Sequence, residues 1–155
     1  GDEEGGMESK VMVRWDAVGP FGSSMAMSEG TGLHLLGSGR FAADLIHFEP
    51  GRGVPCHTHP GSHILICTHG RGFLFLGGNK HEIVQGHCYF VPPMAPHAVY
   101  AAKDEAVTLI SVADDHRPVD ATSRLAPAEP SDEEQSEYGD VIRRLEARSC
   151  PRPKS

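Results

Sequence analysis

The chain has 155 residues, enough for one domain of roughly 100–200 residues with a core of its own. Its 14 Lys and Arg stand against 21 Asp and Glu, a formal net charge of −7, which argues against a nucleic-acid backbone or an anionic membrane surface as the main partner. No apolar run approaches the ~20 residues that cross a bilayer, and four cysteines without a C-x-x-C pair predict free thiols in a reducing cytoplasm.

The amino terminus, "GDEEGG", is acidic and lacks the basic and apolar regions of a signal peptide. Residues 1–10 are therefore expected to be a disordered segment or a remnant of processing. Residues 11–113 read as β throughout. Predicted strands cover 11–15, 33–36, 41–48, 63–67, 72–76, 81–84, 88–91, 97–100 and 106–112. Turn signals such as "GSGR", "PGRG", "HPGS", "HGRG" and "PPMAP" separate them. Short strands at a spacing of about ten residues predict a sandwich or barrel. "HILIC" and "GFLFL" are apolar on both faces, so their outer faces should meet another sheet or a second subunit. Together with the extra strand "VMVRW" this predicts a homodimer.

After Val112 the composition turns polar. Residues 114–130 are expected to be a linker or strap, and residues 131–149 a helix. Ser131 with Glu134 three residues later predicts a capping box. Asp132, Glu133 and Glu134 suit the positive helix start, and Arg143, Arg144 and Arg148 suit its end. Tyr138, Val141, Ile142 and Leu145 make one apolar stripe, which should dock on the barrel or on a partner. Residues 150–155 should be a disordered tail.

The chemistry is concentrated in histidine. Of ten in the chain, most fall between His47 and His97. His57 and His59 are two apart, so on a strand both leave the same face. His63 cannot join them on a straight strand, because four extended residues cover about 13 Å, whereas ligands of a single ion sit roughly 2.0–2.1 Å from it. Pro60 and Gly61 supply the turn that brings it back. His97, at the end of "GHCYFVPPMAPH", is the fourth candidate.

Two segments resemble the motifs of the cupin family. "GRGVPCHTHPGSHILICTHG" is similar to G-x5-H-x-H-x3-E-x6-G at Gly51, His57, His59, position 63 and Gly70. "GHCYFVPPMAPHAVYA" is similar to G-x5-P-x-G-x2-H-x3-N at Gly86, Pro92 and His97. The resemblance implies an all-β cupin fold, a double-stranded β-helix or jelly-roll barrel, here with a short C-terminal helix. It also implies one divalent transition metal ion (Fe, Mn, Ni, Cu, Co or Zn) held by His57, His59, His63 and His97. Position 63 carries His where the family usually has Glu, Met94 replaces the turn Gly, and Ala101 replaces the final Asn. With four neutral imidazoles the ion would keep its full +2 charge and favour an anionic or enolate ligand.

The function expected from this resemblance is a metal-dependent enzyme for a small oxygenated, enolisable or anionic substrate, foremost a dioxygenase or other oxidoreductase. The alternatives are a non-redox zinc cyclase, isomerase or lyase similar to the aromatic polyketide cyclases, and a ligand-sensing cupin without catalysis. Candidate catalytic residues are His47, Tyr89 and Tyr100. Cys56, adjacent to His57, should point to the opposite face, Cys67 should be a core thiol, and His69, His81, His87 and His116 should sit at turns or on the surface.

Overall fold

The computed structural model describes residues 11–15, 22–118, 120, 121 and 125–149. The expected end segments, 1–10 and 150–155, lie outside them, as does part of the strap. In chain order the elements are β1 (Ser23–Ser24), β2 (Thr31–Ser38), β3 (Phe41–Phe48), β4 (Gly53–Thr58), β5 (His63–Leu76), β6 (Asn79–Val84), β7 (Cys88–Val91), β8 (His97–Ala101), β9 (Val107–Ala113), β10 (Ala126–Pro127) and α1 (Asp132–Ser149). Among the described residues, no helix is long and apolar enough to cross a membrane.

All strand pairings are antiparallel, in the order β1-β2-β3-β9-β5-β8-β4-β10, with β6 and β7 also pairing β5. The sheet folds into a barrel at β5. Sequence reasoning took "HGRG" for a turn between two strands, but β5 runs through it as one strand of 14 residues. The cause is a β-bulge between Cys67 and His69 followed by two glycines that permit close backbone approach. Gly70 has φ +81°, and a Cβ there would lie 1.8 Å from the Ala106 carbonyl oxygen; one on Gly72 would lie 2.2 Å from that of Tyr100. Up to Gly70 β5 pairs with β9, and up to Ile66 also with β7; from Arg71 onward it pairs with β6 and from Gly72 with β8. One strand therefore belongs to both layers.

Two further expectations are corrected. Residues 11–15 are not a strand: Val11 is 95% exposed and Met12 69%, so no layer covers their apolar side chains. Conversely, "GVPCHT" is a strand, β4, despite its Pro. Pro55 sits at the register shift between Val54 and His57, where no ladder bond is lost.

Cross-strand register sorts the side chains. Ile46, Phe48, Leu65, Cys67, Val91, Val107 and Leu109 from one layer meet Val54, Leu74, Val99 and Ala101 from the other, filling the barrel interior. Outside the second layer, Phe75, Ala98 and Tyr100 pack against Tyr138 and Val141 of α1, with Cys56 and Leu145 at the margin. Tyr100 and Tyr138 stack with centroids 4.0 Å apart. Burying each such side chain contributes roughly 1.5–3 kcal/mol. The predicted stripe is thus the docking face.

The helix start departs from a full capping box. The Glu134 amide donates to Ser131 Oγ at 3.1 Å, but the Glu134 carboxylate turns inward. It accepts from the Tyr100 hydroxyl at 2.6 Å and from the Cys56 amide at 3.0 Å. Burial raises the Glu134 pKa against the lowering effect of these bonds. The strap ends in β10, which pairs with His57 and Thr58 of β4.

Candidate metal centre

Three histidines converge, with a fourth at the rim. His57 on β4 lies directly opposite His97 on β8, which puts both imidazoles on the inner face. His59 follows the end of β4, and His63 opens β5 after the Pro60–Gly61 turn. Ring centroids are 4.2 Å apart for His57–His97, 4.8 Å for His59–His97 and 3.9 Å for His59–His63. His57, His59 and His97 are buried and bring one ring nitrogen each within 4.8 Å of the others.

Backbone carbonyls fix which nitrogen faces the centre. His57 Nδ1 bonds the Pro55 oxygen at 2.8 Å, His59 Nδ1 that of Gly61 at 3.0 Å, and His97 Nδ1 that of Ala95 at 2.8 Å. A carbonyl only accepts, so each Nδ1 carries the proton and, in the neutral ring, each Nε2 presents a lone pair. The Nε2 atoms of His59 and His97 lie 3.2 Å apart. Two lone pairs at that separation repel unless a cation lies between them. For ligands about 2.0–2.1 Å from one ion, a separation between about 2.9 and 3.4 Å corresponds to angles between square and tetrahedral. The donor set therefore fits a metal ion.

His63 stands at the rim of this group. Its Nδ1 is 2.8 Å from Ser111 Oγ and its ring lies beside that of His59, while the close set of ring nitrogens is made by His57, His59 and His97. Ser111 had no local signal in the sequence. It was findable only through the register that places it beside Leu65, diagonal to His63.

The turn after β7 explains one departure from the motif. Met94 holds φ +60°, the conformation usually given to Gly, and its amide donates to the His59 oxygen at 2.9 Å. The Gly conformation is kept at the expense of some backbone strain, and the turn clamps the His59 backbone.

The three candidate catalytic residues are placed elsewhere. His47 lies on the outer face of β3, opposite in parity to Ile46 and Phe48, with Nδ1 2.9 Å from Thr108 Oγ1 and Nε2 2.6 Å from Glu49. Tyr89 packs against the interior core, but its hydroxyl donates to the Glu82 oxygen at 2.7 Å. Tyr100 is fully buried under α1 on the outer face. None of them is brought to the histidines. Cys67 is a core thiol and Cys56 faces away from His57; burial raises the pKa of both, that of Cys56 to about 11. A cavity of about 930 Å³ between the 25–31 loop, the strap and α1 reaches His57. Its wall mixes Met25 and Leu125 with Glu29, Arg52 and Glu129.

Residues 44–113 match the cupin domain family model. A search of curated proteins finds no match. Among solved structures, the polyketide cyclase RemF from Streptomyces resistomycificus is 22% identical with a TM-score of 0.65, covering 85% of this chain and 98% of that one. A cupin-like protein from Thermotoga maritima is 26% identical with a TM-score of 0.60, covering 85% and 96%. A cupin 2 conserved barrel domain protein from Rhodopseudomonas palustris is 18% identical with a TM-score of 0.58, covering 90% and 97%. The barrel, the paired motifs and these likenesses agree: the chain carries a cupin domain over residues 44–113 and has the all-β cupin barrel fold.

Proposed function

We propose that this cupin is a metal-dependent enzyme that binds a small, oxygen-bearing, enolisable or anionic substrate at one divalent ion held by His57, His59, His63 and His97. The observation that carries the reading is the convergence of the His57, His59 and His97 ring nitrogens, with each Nδ1 fixed to a carbonyl oxygen at 2.8–3.0 Å; His63, at the rim and bonded to Ser111 at 2.8 Å, is the proposed fourth ligand. When bound, such an ion supplies Lewis acidity or redox chemistry, and neutral imidazoles leave its +2 charge undiminished. The chain's own part is to hold the four rings in one tautomer and orientation. Val91 and Leu76 are the cross-strand partners of His63 and His97 and join the apolar core.

The first reaction to test is oxidation of the enolisable substrate by dioxygen, since a fully charged ion favours the electron-rich enolate that dioxygen attacks. The second is non-redox cyclisation or isomerisation, supported by the RemF likeness, which spans 85% of this chain. Metal analysis of anaerobically purified protein, with oxygen uptake on diketone and flavonol-like substrates, separates them. Stoichiometric redox metal with oxygen consumption supports the first. Zinc with turnover and no uptake supports the second, and a protein that takes up no metal refutes both.

The outer face of the first layer supports a homodimer. Phe41 (62% exposed), Ile64 (45%), Ile66 (37%) and Phe90 (58%) all lie on it, an apolar surface of the kind that marks an association site. Residues 11–15 no longer contribute to this argument. Light scattering should give a dimer mass for the native chain and a monomer mass for Ile64→Glu/Phe90→Glu; a monomeric native chain refutes the proposal.

A further inference from the structure

A second cluster of ligand-type side chains lies outside the four-histidine centre. His34 on β2 and Asp44 on β3 are direct cross-strand partners, and His116, beyond β9, folds back onto them. His34 Nδ1 is 3.0 Å from Asp44 Oδ1, and His116 Nε2 is 3.1 and 2.8 Å from Oδ1 and Oδ2. The ligand atoms of the three residues lie within 4.8 Å of one another. Sequence reasoning placed His116 at a turn or on the surface, yet its side chain is only 16% exposed.

The electrostatics of Asp44 single this cluster out. The residue is 6% exposed, and among the described residues neither Lys nor Arg pairs with it; its partners are the two imidazoles. A buried carboxylate is costly without a cation beside it, and among the described residues only the two imidazoles or an ion they hold can supply one. Two neutral imidazoles and one carboxylate form a set that divalent transition metals take readily. The 2.8–3.1 Å separations fall near the roughly 2.9 Å expected between ligands at right angles around an ion 2.0–2.1 Å from each. The His34 side chain is 54% exposed, so solvent has a route in and the remaining coordination positions face it.

We propose that His34, Asp44 and His116 bind a second divalent transition-metal ion, with open positions on the His34 side. This site neutralises Asp44 and ties the strap side of β9 to the β2–β3 hairpin. It lies one strand away from the four-histidine centre: Ser111, which holds His63, is the direct cross-strand neighbour of Asp44. The proposal does not depend on what the four-histidine centre does.

The test is equilibrium dialysis of the chelator-stripped full chain against Co²⁺ and Zn²⁺, with metal counted per chain and the Co²⁺ absorption spectrum recorded. Two ions per native chain are expected. Asp44→Asn and His116→Ala should each bind one, and His57→Ala should lose the other. His34→Ala, a half-exposed position where folding is not at stake, should weaken one binding step by at least the ~10–100-fold that loss of an outer-shell partner costs. Circular dichroism checks that each variant is folded. One ion per native chain, lost in His57→Ala and kept in Asp44→Asn, would overturn the proposal and leave a hydrogen-bonded imidazole–carboxylate cluster. Two ions that survive both Asp44→Asn and His34→Ala, or no metal at all, would overturn it equally.

Discussion

Replacing His59 with Ala should have opposite consequences with and without metal. His59 Nε2 lies 3.2 Å from that of His97, and its ring lies 3.9 Å from that of His63. In metal-free protein the substitution removes one of several converging lone pairs. In metal-loaded protein it removes a ligand. An ion at a hundred times its dissociation constant stabilises the folded state by about 2.7 kcal/mol, and in a domain of this size each kcal/mol moves the melting temperature by roughly 2–4 °C. An ion at the four-histidine centre should therefore raise the melting temperature by roughly 5–11 °C in saturating metal over EDTA; in an Asp44→Asn background, which removes the second proposed site, His59→Ala should show almost no such gap. Because the cavity left by the ring costs the same in both conditions, the difference between the two scans isolates the metal term. Equal melting temperatures for the native chain in metal and EDTA, or a full gap retained in His59→Ala on the Asp44→Asn background, would falsify the site.

The other expectations concern the frame around the site. Glu134→Ala leaves the buried Tyr100 hydroxyl and Cys56 amide without their acceptor, at about 1–3 kcal/mol each, whereas Glu134→Gln keeps an acceptor oxygen and should cost much less by urea denaturation. Because the folded pKa of Glu134 is raised above 4.5, its contribution to stability is complete below the unfolded value and falls as pH rises through the folded one. Glu134→Gln should flatten that part of the pH profile, and an unchanged slope would refute the assignment. Glu29 has the opposite sign. Burial pushes its pKa up, but Arg144 and Arg52 outweigh this and hold it below 4.5, so its contribution is lost as pH falls through that lowered value. At the β5 bend, Gly70→Ala should destabilise by more than the ~1–3 kcal/mol of a strained backbone, since its Cβ meets the Ala106 oxygen. Gly77→Ala, at φ +61° with nothing within 4 Å, should cost the backbone part alone, and equal losses at the two positions would refute the close-approach argument.

What could be read from the sequence was local. The two histidine motifs, the alternation of strands and turns, and the α1 stripe are patterns within about twenty residues, and the structure carries all three. What escaped it was set by contacts across the fold. "HGRG" has the composition of a turn, yet its glycines are there because Ala106 and Tyr100 press against β5. "GVPCHT" has little strand propensity and is held by β8 on one side and β10 on the other. Residues 11–15 have strand composition but no layer to pack on. Glu134 sits where a capping box needs it, and a buried Tyr100 hydroxyl 34 positions away claims its carboxylate instead. The parity of His47 was undecidable until the pairing of β3 with β9 fixed Ile46 and Phe48 as the inner set. Asp44 and His116, 72 positions apart, share no motif.

A metal held as proposed would have a structural consequence beyond its chemistry. His57 and His97 sit on β4 and β8, the second layer, while His63 pairs with β9 and β7 in the first. An ion shared by all four histidines would bridge layers that are otherwise joined through β5 and the interior side chains. Closure by β5 depends on the bulge at Cys67–His69 and on Gly70, farther along the strand that His63 opens. Loosening that bend displaces His63 relative to His57 and His97 without touching any ligand. A Gly70→Ala chain that still folds should therefore bind metal more weakly than Gly77→Ala, with His63 as the ligand lost. Equal metal affinity in the two variants would mean that the interior packing alone sets the distance between the layers.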